Sequence, residues 1–328
     1  MARSHFPANV TFGCRALDGP SLGPSETIQL SSSLAVHARP PVDLDATWQK
    51  WLGSIQVRQF SESKFFIVAQ LTNPSLPVNN LERIEKLIHA FHCGLLLQGY
   101  AYCSGGLEVC GNTDHGHLHV GPIGPVFPHH PVQNRELHAP KRDALQRAYR
   151  LADSLIGLYK SPRRFMRLRQ SFDAWMRGIQ EAIPGYRLHQ FVRAAEGLTK
   201  PRRGRISKDF EDRCQLFIGR GARNRKALRQ LYDLRSCFEH IKPWRAELRK
   251  VRRLDVAESL LFRTLQAELV ASWAFCRILQ SQTLLRNFAS DNSIERFWAM
   301  PEAEKRKAWG KPLPFTAEAA RSYIWLYE

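Results

Sequence analysis

The sequence predicts a two-part chain. An α+β domain spans residues 1–135, an all-α antiparallel helical bundle follows over 143–300, and a tail closes the chain over 301–328. Three observations predict this. Before residue 135, short β-branched and aromatic runs alternate with Pro, Gly and Ser, the pattern of strands and turns. From Asp143 apolar residues recur every three or four positions, the period of a helix. The charge also steps there. Residues 1–140 hold 9 Lys+Arg against 10 Asp+Glu, whereas residues 141–328 hold 39 against 20.

Taken in order, residues 1–45 are rich in Pro, Ser and Gly, with short strands at Asn9–Cys14 and Thr27–Leu30. Asp45–Leu52 (DATWQKWL) reads as a short helix or turn. Gln56–Val57 and Phe65–Gln70 (FFIVAQ) read as strands. Asn80 caps a helix from Leu81 to about Gly99, with Leu81, Ile84, Leu87, Ile88 and Phe91 in one stripe. Tyr100–Val120 returns to strand-like alternation, and Pro122–Pro131 reads as loop. Helices follow at Asp143–Tyr159, Pro162–Ala182 and Tyr186–Leu198, broken by Ser161-Pro162 and Pro184-Gly185. After the basic loop Thr199–Ile206 (TKPRRGRI), Ser207 caps Lys208–Ile218 and Gly219 stops it. Ala227–Pro243 forms the next helix, then a long one runs from Ala246 to about Phe288, and a short one covers Asp291–Trp298. Short connections make antiparallel neighbours.

Composition narrows the function. The net charge of +18 sits in the helical part, whose field attracts phosphates. Seven scattered cysteines without a CxxC pair argue against a disulfide scaffold or a zinc ribbon, and for a reducing compartment. The N-terminal MARSHFPANV has no apolar core of signal-peptide length, and no run of about 18 apolar residues exists. The expectation is a cytoplasmic protein without a membrane span or a cofactor.

The helix Ala227–Pro243 (ALRQLYDLRSCFEHIKP) concentrates the chemistry. Leu231, Leu234, Phe238 and Ile241 form its apolar stripe, and Pro243 is its expected stop. The run Leu231-Tyr232-Asp233-Leu234-Arg235-Ser236, followed by His240, resembles the Arg-x4-His signature of HEPN (higher eukaryote and prokaryote nucleotide-binding) domains. It is most similar to the Apea-like branch, whose members often read Leu-Tyr-x-x-Arg-Ser before the histidine. Arg187–Leu198 (RLHQFVRAAEGL) fits that family's earlier helix, which carries a polar residue near the site. The resemblance covers roughly residues 160 to 300.

Metal-free RNA cleavage needs a base for the ribose 2′-OH, an acid for the leaving 5′-oxygen, and a cation for the phosphorane. Histidine titrates near working pH, so His240 is the candidate acid/base. A guanidinium stays charged and grips oxygens with two donors, so Arg235 is the candidate phosphate clamp. The resemblance implies this division of labour, with a 2′,3′-cyclic phosphate and a 5′-hydroxyl as products. Residues five apart on a helix are rotated by roughly 140°, so Arg235 and His240 do not share a face. Either the arginine curls round, or two copies of the helix form a composite site. HEPN domains generally dimerise, and a twofold axis brings one patch against itself, so the expected assembly is a homodimer.

Glu196 is the candidate orienting residue. Arg193 lies three residues earlier, on the same face, and Tyr232 three before Arg235. Each also has a bland reading as a solvated charge or a ring at the bundle edge. Arg202, Arg203, Arg205, Arg225 and Arg229 widen the expected RNA footprint, although such runs often simply face solvent. A competing constellation is His115, His117 and His119, which would share one face of a strand and could bind zinc or a similar metal. The expected function is a metal-independent HEPN-type endoribonuclease, of the kind that serves in phage defence or as a toxin. A regulatory or antitoxin protein is an expected partner, and the N-terminal domain is expected to sense a trigger or gate the nuclease. The alternatives are a non-catalytic HEPN module that binds nucleotide or RNA, and a metal-dependent enzyme built on the histidine cluster.

Overall fold

The computed structural model describes residues 9–17, 22–23, 26–44, 46–72, 77–100, 106–114, 117–125, 140–161, 163–248 and 255–324. For 46–48, 77–79, 114, 117–125 and 321–324 it describes the backbone alone. The described residues up to Ile156 form one compact unit, and those from Gly157 on form a second.

The first unit is built on a six-stranded antiparallel sheet. Its strands are β1 (Val10–Leu17), β2 (Thr27–Ser31), β3 (Leu34–His37), β4 (Phe65–Thr72), β5 (Leu107–Asp114) and β6 (His117–Pro125). The spatial order is β2-β3-β4-β1-β5-β6. Central β1 is buried along its whole length because both of its faces are covered. Val10, Phe12, Cys14 and Ala16 share a core with Val57 and Phe60 of α2 (Ser54–Glu62), which follows the short α1 (Ala46–Leu52). The other face meets α3 (Pro77–Leu97). At Gly13 an added methyl would lie 2.8 Å from the Ile88 Cδ1, so glycine there lets the helix lie close.

Several expectations give way here. Gln56–Val57 is helical: the signal was Val57 and Phe60 three apart, with exposed polar residues between them. Asn80 lies inside α3, which begins at Pro77, a residue suited to a first helical turn. Pro122 and Pro125 lie in β6, an edge strand, where a missing N–H can face outward. The division of the chain also differs. Residues 142–156 of α4 (Arg142–Tyr159) belong to the first unit. Gly94 of α3 admits the Ala148 backbone, and Gln98 Nε2 donates to the Ala144 carbonyl at 3.1 Å. Helical period alone does not say which neighbour a stripe will face.

The second unit is helical, with α5 (Met166–Gln180), α6 (Pro184–Thr199), α7 (Ile206–Ile218) and α8 (Ala222–Glu239) in sequence. Next come α9 (Arg245–Leu248), α10 (Val256–Gln280), α11 (Gln282–Asn287), α12 (Asp291–Ala299), α13 (Glu302–Trp309) and α14 (Phe315–Ile324). Its core joins Phe172 and Trp175 of α5 to Phe275 of α10, and Trp175 Nε1 donates to Ser272 Oγ at 2.9 Å. The expected long helix from Ala246 is three. Asp255 and Glu258 form a capping box that starts α10, and Ser281 caps α11. Ser207 is not a cap but lies within α7, after Arg205, whereas Gly219 ends that helix with φ 89°. The expected tail is folded through its described part: Trp309 is buried against Phe217, Phe288 and Trp298.

The basic loop after α6 is fastened by one carboxylate. Asp209 accepts from the Arg202 backbone N–H and from its guanidinium at 2.8 and 2.9 Å, and Arg213 lies 3.5 Å away. The Arg202 hydrogen bond holds Asp209 down at about 2. A depressed carboxyl pKa adds stability above its unfolded value, and that stability is lost as pH falls through the folded value. Asp209→Asn should therefore cost about 2 kcal/mol at pH 7, because the side chain is only 5 % exposed. The deficit should shrink as pH falls from about 4 to about 2, which urea unfolding followed by circular dichroism would measure.

Candidate functional site

The site lies where α6 and α8 pack antiparallel. The buried face of α8 is Ala227, Leu228, Gln230, Leu231 and Leu234. Burying that stripe fixes the rotation of the helix and turns Tyr232, Arg235 and Glu239 toward α6. Across from them α6 presents His189, Arg193 and Glu196. These are two matched polar stripes, spaced three, four and seven on one helix and four, three and seven on the other.

Arg235 is the centre. Its Nη2 lies 3.1 Å from Glu196 Oε2 and 3.4 Å from Glu239 Oε2. The Arg235 side chain is 16 % exposed and that of Glu196 is 19 % exposed. Arg235 Nε is buried without a hydrogen-bond partner among the described residues. Its guanidinium also lies 5.9 Å from the centre of the Tyr232 ring. Glu239 reaches on to His189, whose Nε2 is 2.5 Å from the same Oε2. Burial raises Glu196 above the usual carboxylate range, outweighing the pull of Arg235 in the other direction. The hydrogen bond from His189 lowers Glu239. Burial raises Tyr232, and the Glu196 charge adds to the rise.

The end of α8 departs from expectation. The helix stops at Glu239, four residues before Pro243. His240 is its cap, and its backbone N–H donates to the Ser236 carbonyl. Ile241 then adopts φ 52°, and the Lys242 N–H donates to the Cys237 carbonyl at 2.8 Å. That is the Schellman arrangement, whose left-handed position usually holds glycine. Ile241, expected in the apolar stripe, is 95 % exposed. His240 is also exposed, and its ring makes no ion pair or side-chain hydrogen bond among the described residues. Ile183, at 55 %, and Tyr186, at 51 %, are exposed as well. Tyr186 stacks edge-on against Phe238, which stacks on Trp244. An apolar and aromatic surface thus gathers at the C-terminal end of α8, beside His240.

Comparison with known protein families, curated proteins and solved structures finds no match for this chain.

Arg235, Glu196 and Tyr232 come together. Arg193 is exposed and within electrostatic reach of Glu196 and Glu239. His240 does not join this network directly, so the imidazole that reaches it within one chain is His189. His189 and Glu239 are not among the residues that the sequence singles out. The signal was the matched spacing on the two helices, visible only once α6 and α8 are known to be neighbours.

The outlying arginines are exposed but largely tied. Arg202 pairs with Asp209, Arg225 with Asp212 and Arg229 with Glu211, while Arg205 lies 3.9 Å from Asp209. Arg203 is exposed. Of the expected histidine cluster, the backbones of His117 and His119 lie in β6. Asp114 at the end of β5 pairs with His117 at the start of β6. His115 and the side chains of His117 and His119 lie outside the described residues. Among the described residues no group of three His, Cys, Asp or Glu side chains is placed to hold a metal. No described helix is long and apolar enough to cross a membrane.

Proposed function

We propose that the helical unit is a metal-independent endoribonuclease of the HEPN type that works as a homodimer. One observation carries the reading: Arg235 of the Arg-x4-His run is held, only 16 % exposed, against Glu196 of the preceding helix, with His240 exposed just past the helix end. An arginine so positioned needs little reordering to meet a phosphate. His240 takes the 2′-OH proton, the 2′-oxygen attacks phosphorus, and the bond to the 5′-oxygen breaks. A second imidazole protonates that oxygen, leaving a 2′,3′-cyclic phosphate and a 5′-hydroxyl. Because Arg235 and His240 do not meet within one chain, the second imidazole and the closure of the cleft come from a second copy. The positive charge of the unit supplies the attraction for RNA. In this reading the sheet unit senses a trigger or gates the nuclease, and a regulatory or antitoxin protein restrains it.

The test is incubation of the full chain with end-labelled RNA in EDTA. Cleavage that persists and leaves cyclic phosphate ends is expected. Absence of cleavage, or cleavage that needs a divalent ion, would overturn the proposal. A second reading has its own support, since Arg235 is already satisfied by two carboxylates. In a non-catalytic RNA-binding module that network would only brace α6 against α8, and RNA would bind without being cut.

The dimer surface can be tested at Ile241. A β-branched residue in the left-handed region costs about 1–2 kcal/mol, and glycine removes that cost while adding some unfolded-state entropy. Ile241→Gly should therefore stabilise the isolated chain by about 0.5–1 kcal/mol. It should also weaken the dimer, because 95 % of that side chain is available to a partner. Sedimentation velocity across a concentration series would show the shift to monomer, and cleavage per chain should fall with it.

A further inference from the structure

A second basic feature lies at the other end of α8. The turn between α6 and α7 joins α7, α12 and α13 around a cavity of about 880 Å³. Eight Lys or Arg side chains line it against four Asp or Glu. Every one of those carboxylates is already engaged: Asp209 by Arg202, Asp212 by Arg225, Glu295 by Lys200 and Glu302 by Arg220. The excess of four positive charges therefore has no counterpart in the cavity wall. Arg203 and Lys305 have no carboxylate at salt-bridge distance among the described residues, although Glu302 is near enough to Lys305 to be felt.

Two of these cations are fixed in place. Arg213 Nη1 donates to the carbonyls of Thr199 and Lys200 at 2.5 and 2.6 Å, and the guanidinium lies over the Trp298 ring at 5.2 Å. Lys305 Nζ donates to the Trp298 carbonyl at 2.9 Å. Burial lowers the pKa of Lys305, and the neighbouring Arg213 lowers it further against the smaller opposing pull of Glu302. Cations held in advance lose little freedom when an anion arrives. The cavity offers no stacking face for a base, because Trp298 is 6 % exposed and covered by Arg213. What it can recognise is negative charge in a chain longer than one group.

We propose that this cavity binds a run of adjacent phosphate groups, as in inorganic tripolyphosphate or the backbone of an RNA strand. The site is separate from the Arg235 network. Arg225 on its wall precedes Arg235 by ten residues, roughly 15 Å along α8. The inference therefore stands or falls without the nuclease reading.

The test is calorimetric titration of the full chain with sodium tripolyphosphate. Saturable binding that weakens with salt is expected. Arg203→Ala, on the exposed loop, should weaken it about tenfold, and Arg203→Ala with Lys305→Gln about a hundredfold. His240→Ala should leave it unchanged, which separates this site from the proposed nuclease centre. Displacement of a labelled single-stranded oligoribonucleotide by tripolyphosphate would identify the RNA backbone as the ligand. Tripolyphosphate that binds without displacing RNA would identify a free polyphosphate. No saturable binding by the wild type, or equal binding by wild type and Arg203→Ala, would overturn the proposal.

Discussion

His240→Ala should cut RNA about 10²–10⁴-fold more slowly than the wild type at unchanged melting temperature. The activity loss follows from proton transfer, since an alanine methyl can neither take nor give the proton. The unchanged stability follows from structure. The His240 ring is exposed and makes no ion pair or side-chain hydrogen bond among the described residues, and alanine keeps the backbone bond to Ser236. Separating the two readouts matters, because a merely structural histidine would move stability and activity together. A variant that cuts at the wild-type rate would remove His240 from the mechanism. Attention would then pass to His189, the imidazole in contact with the Arg235 network through Glu239.

The sequence already contains much of this molecule in physical terms, and the exceptions are instructive. β1 and β4 are legible because β-branched and aromatic runs are strands wherever both faces are buried. The restart of the chain at α10 is legible in the Asp255–Glu258 box, though the long helical period hides it. Other features depend on neighbours that no local pattern names. The prolines of β6 read as loop until the strand is known to lie at a sheet edge. Residues 142–156 read as bundle until Gly94 is seen to admit them against α3. At the site, Arg235 and Glu196 are each visible as candidates, but their 3.1 Å contact requires α6 and α8 to pack antiparallel in one register. His189 is hidden for the same reason. The strained Ile241 is hidden too, because an exposed isoleucine continues the apolar period that predicts its burial.

Arg235→Ala should lose both activity and stability, and the pH dependence should tell the two apart. Removing the guanidinium leaves Glu196 and Glu239 facing each other, with Glu196 already raised by burial. A pair broken on one side in a fully buried site costs about 3–5 kcal/mol. Here both side chains keep some contact with solvent, so a loss of about 2–3 kcal/mol at pH 7 is expected. The sign with pH follows from linkage. Without its counter-charge Glu196 rises further in the folded state, so the fold prefers it protonated. Its contribution is then fully present below the unfolded carboxylate value and is lost as pH rises through the folded one. The deficit against wild type should accordingly be small near pH 4 and full at pH 7. Cleavage should fall about 10²–10³-fold even at the pH where stability is nearly restored, because the transition-state charge has lost its clamp. Recovery of cleavage along with stability would instead mark Arg235 as a brace between α6 and α8. Arg235→Lys should restore part of the stability but little of the activity, since an ammonium cannot span two carboxylates or two phosphate oxygens in one plane. Glu196→Gln gives the complementary measurement. If Glu196 orients the guanidinium, the variant should cut about tenfold more slowly with RNA affinity unchanged. Tighter RNA binding would show instead that Glu196 competes with phosphate for Arg235.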